Sequence, residues 1–149
     1  MSQDVVVITR VVETLPDGFD VILEAAASEG VRNMAMLAAQ WAGGEQRFDD
    51  PGALFAALVD GDLAGVGGVT VDTSAGEPAM RMRRLYVLPM FRRFGVGRRL
   101  AGAMMQQGFQ AAPLLTLNAA ASDAAAPFWE AMGFARTDTV PGATHALRL

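Results

Sequence analysis

The 149-residue chain has no cysteine and no lysine, and only one histidine and one tyrosine. Without cysteine there is no disulfide, no thiolate metal site and no cysteine nucleophile. The single histidine, His145, cannot build a metal site alone, so no metal is expected. Without lysine the Gly-Lys-Ser/Thr phosphate loop of nucleoside triphosphatases is excluded. No run of 18 apolar residues occurs, so no membrane-spanning helix is expected. The opening Met1-Ser2-Gln3-Asp4 lacks the basic residues of a secretion signal, and the apolar run after it is short. There is also no long polar tract, no internal repeat and no linker, and 52% of the residues are hydrophobic, which argues against disorder. Together these absences predict a cytoplasmic protein with one domain over residues 1–149 and one sizeable core. Exclusive use of arginine as the base, beside many alanines and glycines, hints at a bacterial, GC-rich source.

Acid is missing from one stretch in particular. Residues 81–99 hold seven of the twelve arginines and no Asp or Glu, a charge of +7. The rest of the chain has five arginines against sixteen acids, and the whole stands at −4. A strongly positive segment on an acidic protein suits an anionic ligand. Nucleic acid fits poorly, because the pI is about 4.9 and aromatic RNA-binding signatures are absent.

That segment reads as strand, turn and helix. Residues 84–88 are rich in strand formers and Pro89 stops them. Arg92 to Gly97 form a short arginine- and glycine-bearing turn. Val96, Leu100, Ala103 and Met104 then follow helical spacing in a helix that is expected to fade near Gly108. A strand feeding a glycine turn that opens a helix is a phosphate-binding arrangement. Glycine admits the anion to the backbone, and the first helical turn offers unpaired N–H groups at the positive end of its dipole. The dinucleotide fingerprint would need a third glycine where Leu100 stands. What remains is Arg92-x-x-Gly95-x-Gly97, with Arg93, Phe94, Val96 and Arg98 in the same turn.

Elsewhere, residues 5–12 predict a first strand, and Pro16-Asp17-Gly18 a helix entry before Phe19, Ile22, Leu23 and Ala26. A second helix is expected over 34–41. Residues 53–59 and 63–71 flank Asp60-Gly61-Asp62, a strong hairpin signal. Gly65, Gly67 and Gly68 in the second arm predict a bulge or a close backbone approach. A short strand is expected over 114–118, then a helix capped by Ser122 and Asp123 and ended by Gly133. A last hairpin is expected with arms 134–140 and 144–149. The order β-α-α-β-β-β-α-β-α-β-β predicts an α/β (α+β) domain with a mixed, mostly antiparallel sheet of about seven strands and four helices.

The turn motif, with Leu85-Tyr86-Val87-x-Pro89 before it, resembles the acetyl-CoA signature of the GNAT superfamily of N-acetyltransferases. That signature runs Gln or Arg, two residues, Gly, one residue, then Gly or Ala. Ala125-x-x-Phe128-Trp129-Glu130-Ala131-Met132-Gly133-Phe134 resembles the family's C-terminal segment, Ala-x-x-Phe-Tyr-Glu-Lys-Leu-Gly-Phe. The resemblance implies acetyl-CoA as acyl donor, wedged between two splayed parallel strands. It implies that the backbone of Leu85, Tyr86 and Val87 pairs with the pantetheine arm, that the turn from Arg92 to Arg98 holds the pyrophosphate, and that Ser122 contacts the cofactor. It implies direct attack of a primary amine on the thioester, with backbone N–H groups of Leu85 and Val87 as oxyanion donors.

Two residues usual in that family are missing. Trp129 occupies the place of the tyrosine acid, and the strand from Met80 to Arg84 has no glutamate base. Candidate replacements are a loop carboxylate (Glu29, Asp72 or Glu77), His145, whose residue type trades protons near neutrality, and Tyr86 as the acid. A fourth route uses no side chain and relays the proton through water; it is the favoured one. Arg81 and Arg83 alternate with Met80 and Met82, so they share one strand face and would suit a carboxylate-bearing acceptor. The acceptor itself, a small molecule or a peptide amine, has no signature. Homodimers are common in the family, which makes a second copy a candidate partner. Loss of both acid-base residues also admits a catalytically silent acyl-CoA-binding or sensor domain.

Overall fold

A computed structural model describes residues 5–120 and 122–149. Its sheet is set in register by a two-residue turn. Asp60 and Gly61 both have positive φ (50° and 89°), as a tight hairpin with the strands' own twist requires. The turn pairs β2 (Ala53–Val59) with β3 (Asp62–Val71), Val59 lying opposite Asp62. On the outer side of β2 runs the edge strand β1 (Val6–Val11). Next to β3 comes β4 (Met80–Val87), then β5 (Leu114–Leu117), β7 (His145–Arg148) and β6 (Ala135–Arg136). Every neighbouring pair is antiparallel except β4 and β5.

Two helices cover one face. α1 (Phe19–Ser28) buries Phe19, Ile22 and Ala26, and α2 (Asn33–Gly43) buries Met34, Leu37 and Trp41. The spacing of three and four residues makes one apolar stripe per helix. The stripes pack on Leu54, Ala56, Val66, Tyr86 and Leu88. The opposite face receives α3 (Val96–Ala111) and α4 (Ala125–Ala131). There Val96, Leu100, Ala101, Met104 and Trp129 meet Ala57, Val69, Met80, Met82 and Leu115. Each large side chain so buried contributes about 2 kcal/mol.

The feature that opens the sheet is a bulge in β4. Val66 pairs with Tyr86 and Gly68 with Arg83, so Gly67 alone faces Arg84 and Leu85. Arg84 takes φ of 58°, the left-handed conformation of an extra residue. A bulge bends its strand and strengthens the local twist. The parallel ladder to β5 accordingly holds only at Met80–Leu115 and Arg81–Thr116. Within the arm 63–71 itself, where the glycines predict a bulge or a close approach, Ala64 is left over between the pairs Leu58–Leu63 and Ala57–Gly65, and the close approaches are present. An added Cβ at Gly65 would lie 2.6 Å from Tyr86 O, and one at Gly68 2.5 Å from the Phe48 ring.

Three expectations need correction. α3 does not fade at Gly108 but continues to Ala111. Gly108 is buried, and a Cβ there would meet Leu115 Cδ2 at 2.6 Å, so it serves close helix-on-strand packing rather than termination. α4 starts at Ala125 with Ala124 as its cap and no side-chain cap bond. Ser122 enters only through its carbonyl, which accepts from Ala125 N–H at 3.3 Å. In the last hairpin only Ala135 and Arg136 pair, with Ala146 and His145, because the segment beyond leaves the sheet as a loop.

Two glycine substitutions should shift stability in opposite directions. Gly65→Ala forces a methyl against the backbone of β4 and should destabilise by about 3 kcal/mol. Gly102→Ala, in a helix interior with open space around it, should stabilise by about 0.5–1 kcal/mol. Urea denaturation midpoints check both.

Candidate active site

Beyond Arg81 the separating strands leave a cleft of about 630 Å³. One wall is β4 from Arg81 to Val87. The other is Leu117 and Asn118 at the end of β5, with Phe128 and Trp129 of α4. Gly97 of α3 stands at one mouth and Val31 and Asn33, before and at the start of α2, at the other.

The backbone of β4 alternates across this wall. Leu88 N–H donates to Ala64 O of β3, so Leu85 and Val87 turn their N–H and C=O groups away from β3, toward the cleft. Tyr86, paired with Val66, spends its backbone on the sheet. Leu85 O accepts from Asn33 Nδ2 at 3.2 Å and Val87 O from Arg92 Nε at 3.0 Å.

At the Gly97 mouth lies the glycine turn. Leu88 ends β4, and Pro89–Phe91 make a short 3-10 turn. Gly95 caps α3 with φ of 72°, which only glycine adopts without strain. Arg99 N–H donates to Gly95 O at 3.1 Å. The N–H groups of Val96, Gly97 and Arg98 therefore come earlier than the first helical bond and have no intrahelical acceptor. A Cβ at Gly97 would touch the Phe128 ring at 3.4 Å, so the helix end and α4 meet there without a side chain between them. Phe94, Arg93 and Arg98 are exposed around this turn, and Arg99 donates to Val6 O at 3.1 Å. Ser122 also lines the cleft.

Arg92 departs from expectation. Its guanidinium does not join the turn but forms a two-pronged pair with Glu29, at 2.9 and 2.6 Å, and lies 5.5 Å over the Tyr86 ring. Glu29 ends α1, where the negative end of the helix dipole disfavours a carboxylate. Arg92 and the Tyr86 hydroxyl, which donates to Glu29, offset that. The Arg92 bonds, then the Tyr86 bond, hold the Glu29 carboxyl below its usual range. Burial, and then the bond to Glu29, push Tyr86 up to about 12. Tyr86 thus keeps its proton, and Glu29 is already saturated with donors.

The other candidate acids and bases stand outside the cleft. Asp72 is buried behind it. Its carboxylate accepts from Thr116 Oγ1 at 2.5 Å and from Ser74 N–H and Oγ at 2.8 Å. Burial raises its pKa, but these bonds and the Arg81 charge outweigh burial and hold it low. Glu77 pairs with Arg148 on the surface. His145 is buried between Thr144 Oγ1 and Glu130 Oε2, each at 2.8 Å, and the Thr144 hydroxyl accepts from Ala119 N–H. That chain fixes β7 and the loop after β5. Trp129 is buried edge-on between Phe128 and Phe134. Among the described residues the cleft is lined by four arginines and by no carboxylate or histidine.

Arg81, Arg83 and Arg84 share the cleft with Tyr86. Met80 and Met82 pack toward α3, so Arg81 and Arg83 point the other way. The bulge then adds Arg84 to the same side, where its guanidinium meets Gln40 of α2 at 3.1 Å. After it the alternation is reversed, with Leu85 and Val87 toward α3 and Tyr86 toward α1 and α2. Arg81 donates to Gly142 O at 3.2 Å. Burial first, then the neighbouring arginines, lower the pKa of Arg83 and Arg84, with Asp72 opposing the change at Arg83. Two buried polar atoms here, Arg84 Nε and Asn33 Oδ1, have no partner among the described residues. Sequence reasoning missed Asn33 and Arg84. For Arg84 the signal was the Gly67-Gly68 pair that permits the bulge; Asn33 had none.

Residues 22–146 match the family model of the acetyltransferase (GNAT) domain. No protein of curated function matches the sequence significantly. Among solved structures, one assigned as an acetyltransferase of Exiguobacterium sp. 255-15 is similar at 27% identity and TM-score 0.81, over 96% of this chain and 93% of that one. An acetyltransferase of Streptococcus agalactiae 2603 shares 15% identity at TM-score 0.70, over 97% and 98%. A GNAT family acetyltransferase of Elizabethkingia anophelis, solved with acetyl-CoA bound, shares 14% identity at TM-score 0.65, over 97% and 98%.

The Glu29 cluster makes a pH-dependent contribution to stability. A carboxyl whose pKa is lower folded than unfolded stabilises fully above its ordinary value of 4.5 and loses that contribution as pH falls through the folded value. Glu29→Gln keeps a group that can accept from Tyr86 but removes the charge. Its stability deficit against the parent should be full at pH 7 and shrink below about pH 4.5. Denaturation midpoints at pH 7 and pH 3.5 read this, and a deficit unchanged between them would refute it.

Proposed function

The chain belongs to the GNAT acetyltransferase family, and from that premise we propose that it transfers an acetyl group from acetyl-CoA to a primary amine by direct attack on the thioester. The observation that carries this is the opening between parallel strands that ends at the unpaired amides of the Gly95-Gly97 turn. Residues 1–149 act as one such domain in the cytoplasm, on a small-molecule or peptide amine, with a second copy of the chain as a candidate partner.

The residues suit the donor. The free N–H groups of Leu85 and Val87, and the remaining lone pairs of their carbonyls beside Asn33 and Arg92, can accept the pantetheine arm as an added strand. The amides of Val96, Gly97 and Arg98, with the charges of Arg93 and Arg98, suit a pyrophosphate. Phe94 and Ser122 border that site, and Arg92 supports it indirectly by fixing Val87 O. When bound, acetyl-CoA supplies an acyl group on a good leaving thiol. The amine nitrogen forms the new C–N bond while the C–S bond breaks, and the proton it sheds ends on the CoA thiol. The N–H of Leu85 or Val87 faces the cleft and can stabilise negative charge on the acyl oxygen.

No cleft side chain takes the amine's proton. Arg81, Arg83 and Arg84 do part of that work through their field, since nearby positive charge lowers an ammonium pKa, whereas Glu29 neutralises Arg92. Water then relays the proton. Trp129 at the place of the usual acid favours one second reading, a silent acyl-CoA sensor.

Calorimetric titration should show micromolar acetyl-CoA binding by the parent. Gly97→Asp places a carboxylate against the phosphates and should weaken it at least about 100-fold, since like-charge contact costs several kcal/mol. A folded parent that binds nothing would end the transferase reading. Release of CoA thiol with any amine, above the no-amine blank, separates enzyme from sensor.

A further inference from the structure

We propose that the acceptor is an amine that carries its own carboxylate, held with the carboxylate on Arg83 and Arg84 and the amine beside Asn33. The proposal rests on the transferase reading above and names its substrate class.

Three observations converge. The first is charge without an answer. Arg81, Arg83 and Arg84 lie together, half-buried, on one wall of the cleft, and no described cleft residue is acidic. The acid that acts on Arg83, Asp72, is already held by Thr116 and Ser74. Arg81 is engaged with Gly142 O and Arg84 with the neutral Gln40. The Arg83 side chain makes no hydrogen bond among the described residues, so its whole fork is available.

The second is a pair of unfilled bonds of opposite kind. Arg84 Nε is a buried donor without an acceptor, and Asn33 Oδ1 a buried acceptor without a donor. Leaving either unmade is costly, more so for the charged group. A ligand with both an anionic oxygen and an N–H answers both.

The third is their placement. Asn33 Nδ2 is fixed on Leu85 O at 3.2 Å, and Arg84 is the residue before Leu85. The two unfilled groups thus flank the backbone that faces the acyl donor. A planar guanidinium fork matches a carboxylate through two parallel bonds. It matches a phosphonate as well, so the test separates the two anions.

The experiment offers acetyl-CoA with three matched series: amino acids, α- and ω-, their primary amides, and their aminophosphonate analogues. CoA thiol release gives kcat/KM. Each carboxylate that reacts should exceed its amide by about tenfold or more, the scale of one charge-assisted bond pair. Arg83→Gln should close that gap to within about twofold, through KM, while the acetyl-CoA Kd stays put. Asn33→Asp, which sets a negative charge beside the seat, should reverse the preference. Equal use of acids and amides by the parent overturns the proposal, as does a gap that survives Arg83→Gln. Phosphonates that outrun carboxylates overturn the assignment of the anion. Where no amine reacts, glutarate is titrated into the CoA-saturated protein and the arginine Nε–H resonances are followed. Saturable shifts that Arg83→Gln abolishes support the seat, and their absence overturns it. Acetyl-CoA binding, measured separately, judges the transferase reading by itself.

Discussion

Everything distinctive about this cleft depends on one backbone torsion, the left-handed φ of Arg84. A non-glycine residue there costs about 1–2 kcal/mol. The sheet tolerates it because Gly67 across the ladder carries no side chain, and an added Cβ there would already press on Met104 Sδ at 2.7 Å. From that torsion three consequences follow in order. β4 bends away from β5, which opens the cleft. The alternation of its side chains reverses, which collects three arginines and Tyr86 on one side. The N–H groups of Leu85 and Val87 lose any strand partner and face the opening. A regular β4 would have closed on β5 and left neither a gap nor donors.

The Glu29, Arg92 and Tyr86 cluster holds the bent strand where it is. Arg92 sits on the stretch between the end of β4 and the start of α3, yet its guanidinium reaches both Val87 O and the C-terminus of α1. It therefore couples three segments that a ligand in the cleft would touch or border. An arginine in a glycine turn is easily assigned to a phosphate, but a carboxylate at a helix C-terminus needs a cation more than a solvated loop does. That competition, decided by tertiary contact, turns the Arg92 guanidinium to Glu29 and leaves Arg93 and Arg98 exposed around the turn.

Much of the frame was legible because the signals are local. Asp60-Gly61 fixed a hairpin, Gly95 a left-handed cap, and the spacing of Phe19, Ile22 and Ala26 a helix face. The element order, the splayed strand pair and the family followed from motifs confined to about 55 residues. What was not legible depended on contacts across the fold. Gly108 reads as a stop and is a packing gap under Leu115. Ser122 reads as a cap, but no side-chain cap bond forms and it lines the cleft. His145 reads as a proton carrier and is a buried brace between Thr144 and Glu130. The pairing of Arg81 with Arg83 was visible in alternation, but the arrival of Arg84 beside them was not, because a bulge is a property of two strands.

The missing acid and base then take on a different aspect. An enzyme that acetylates an amine needs the neutral amine more than it needs a particular base. A positive charge about 6 Å from an ammonium, at an effective dielectric near 20, disfavours the ammonium by about 3 kcal/mol, or about two pKa units. The cleft holds four arginines, one of them neutralised by Glu29. An acceptor's own carboxylate opposes the loss of its proton, and arginines that neutralise the carboxylate remove that opposition. For the proposed acceptor, recognition and deprotonation would come from the same side chains. A glutamate placed on this strand as a base would sit among those arginines, pair with them, and lose basicity and anion site together. The absence of the usual carboxylate and the presence of the arginine cluster are in this sense one choice, imposed by which charge the strand presents to the cleft.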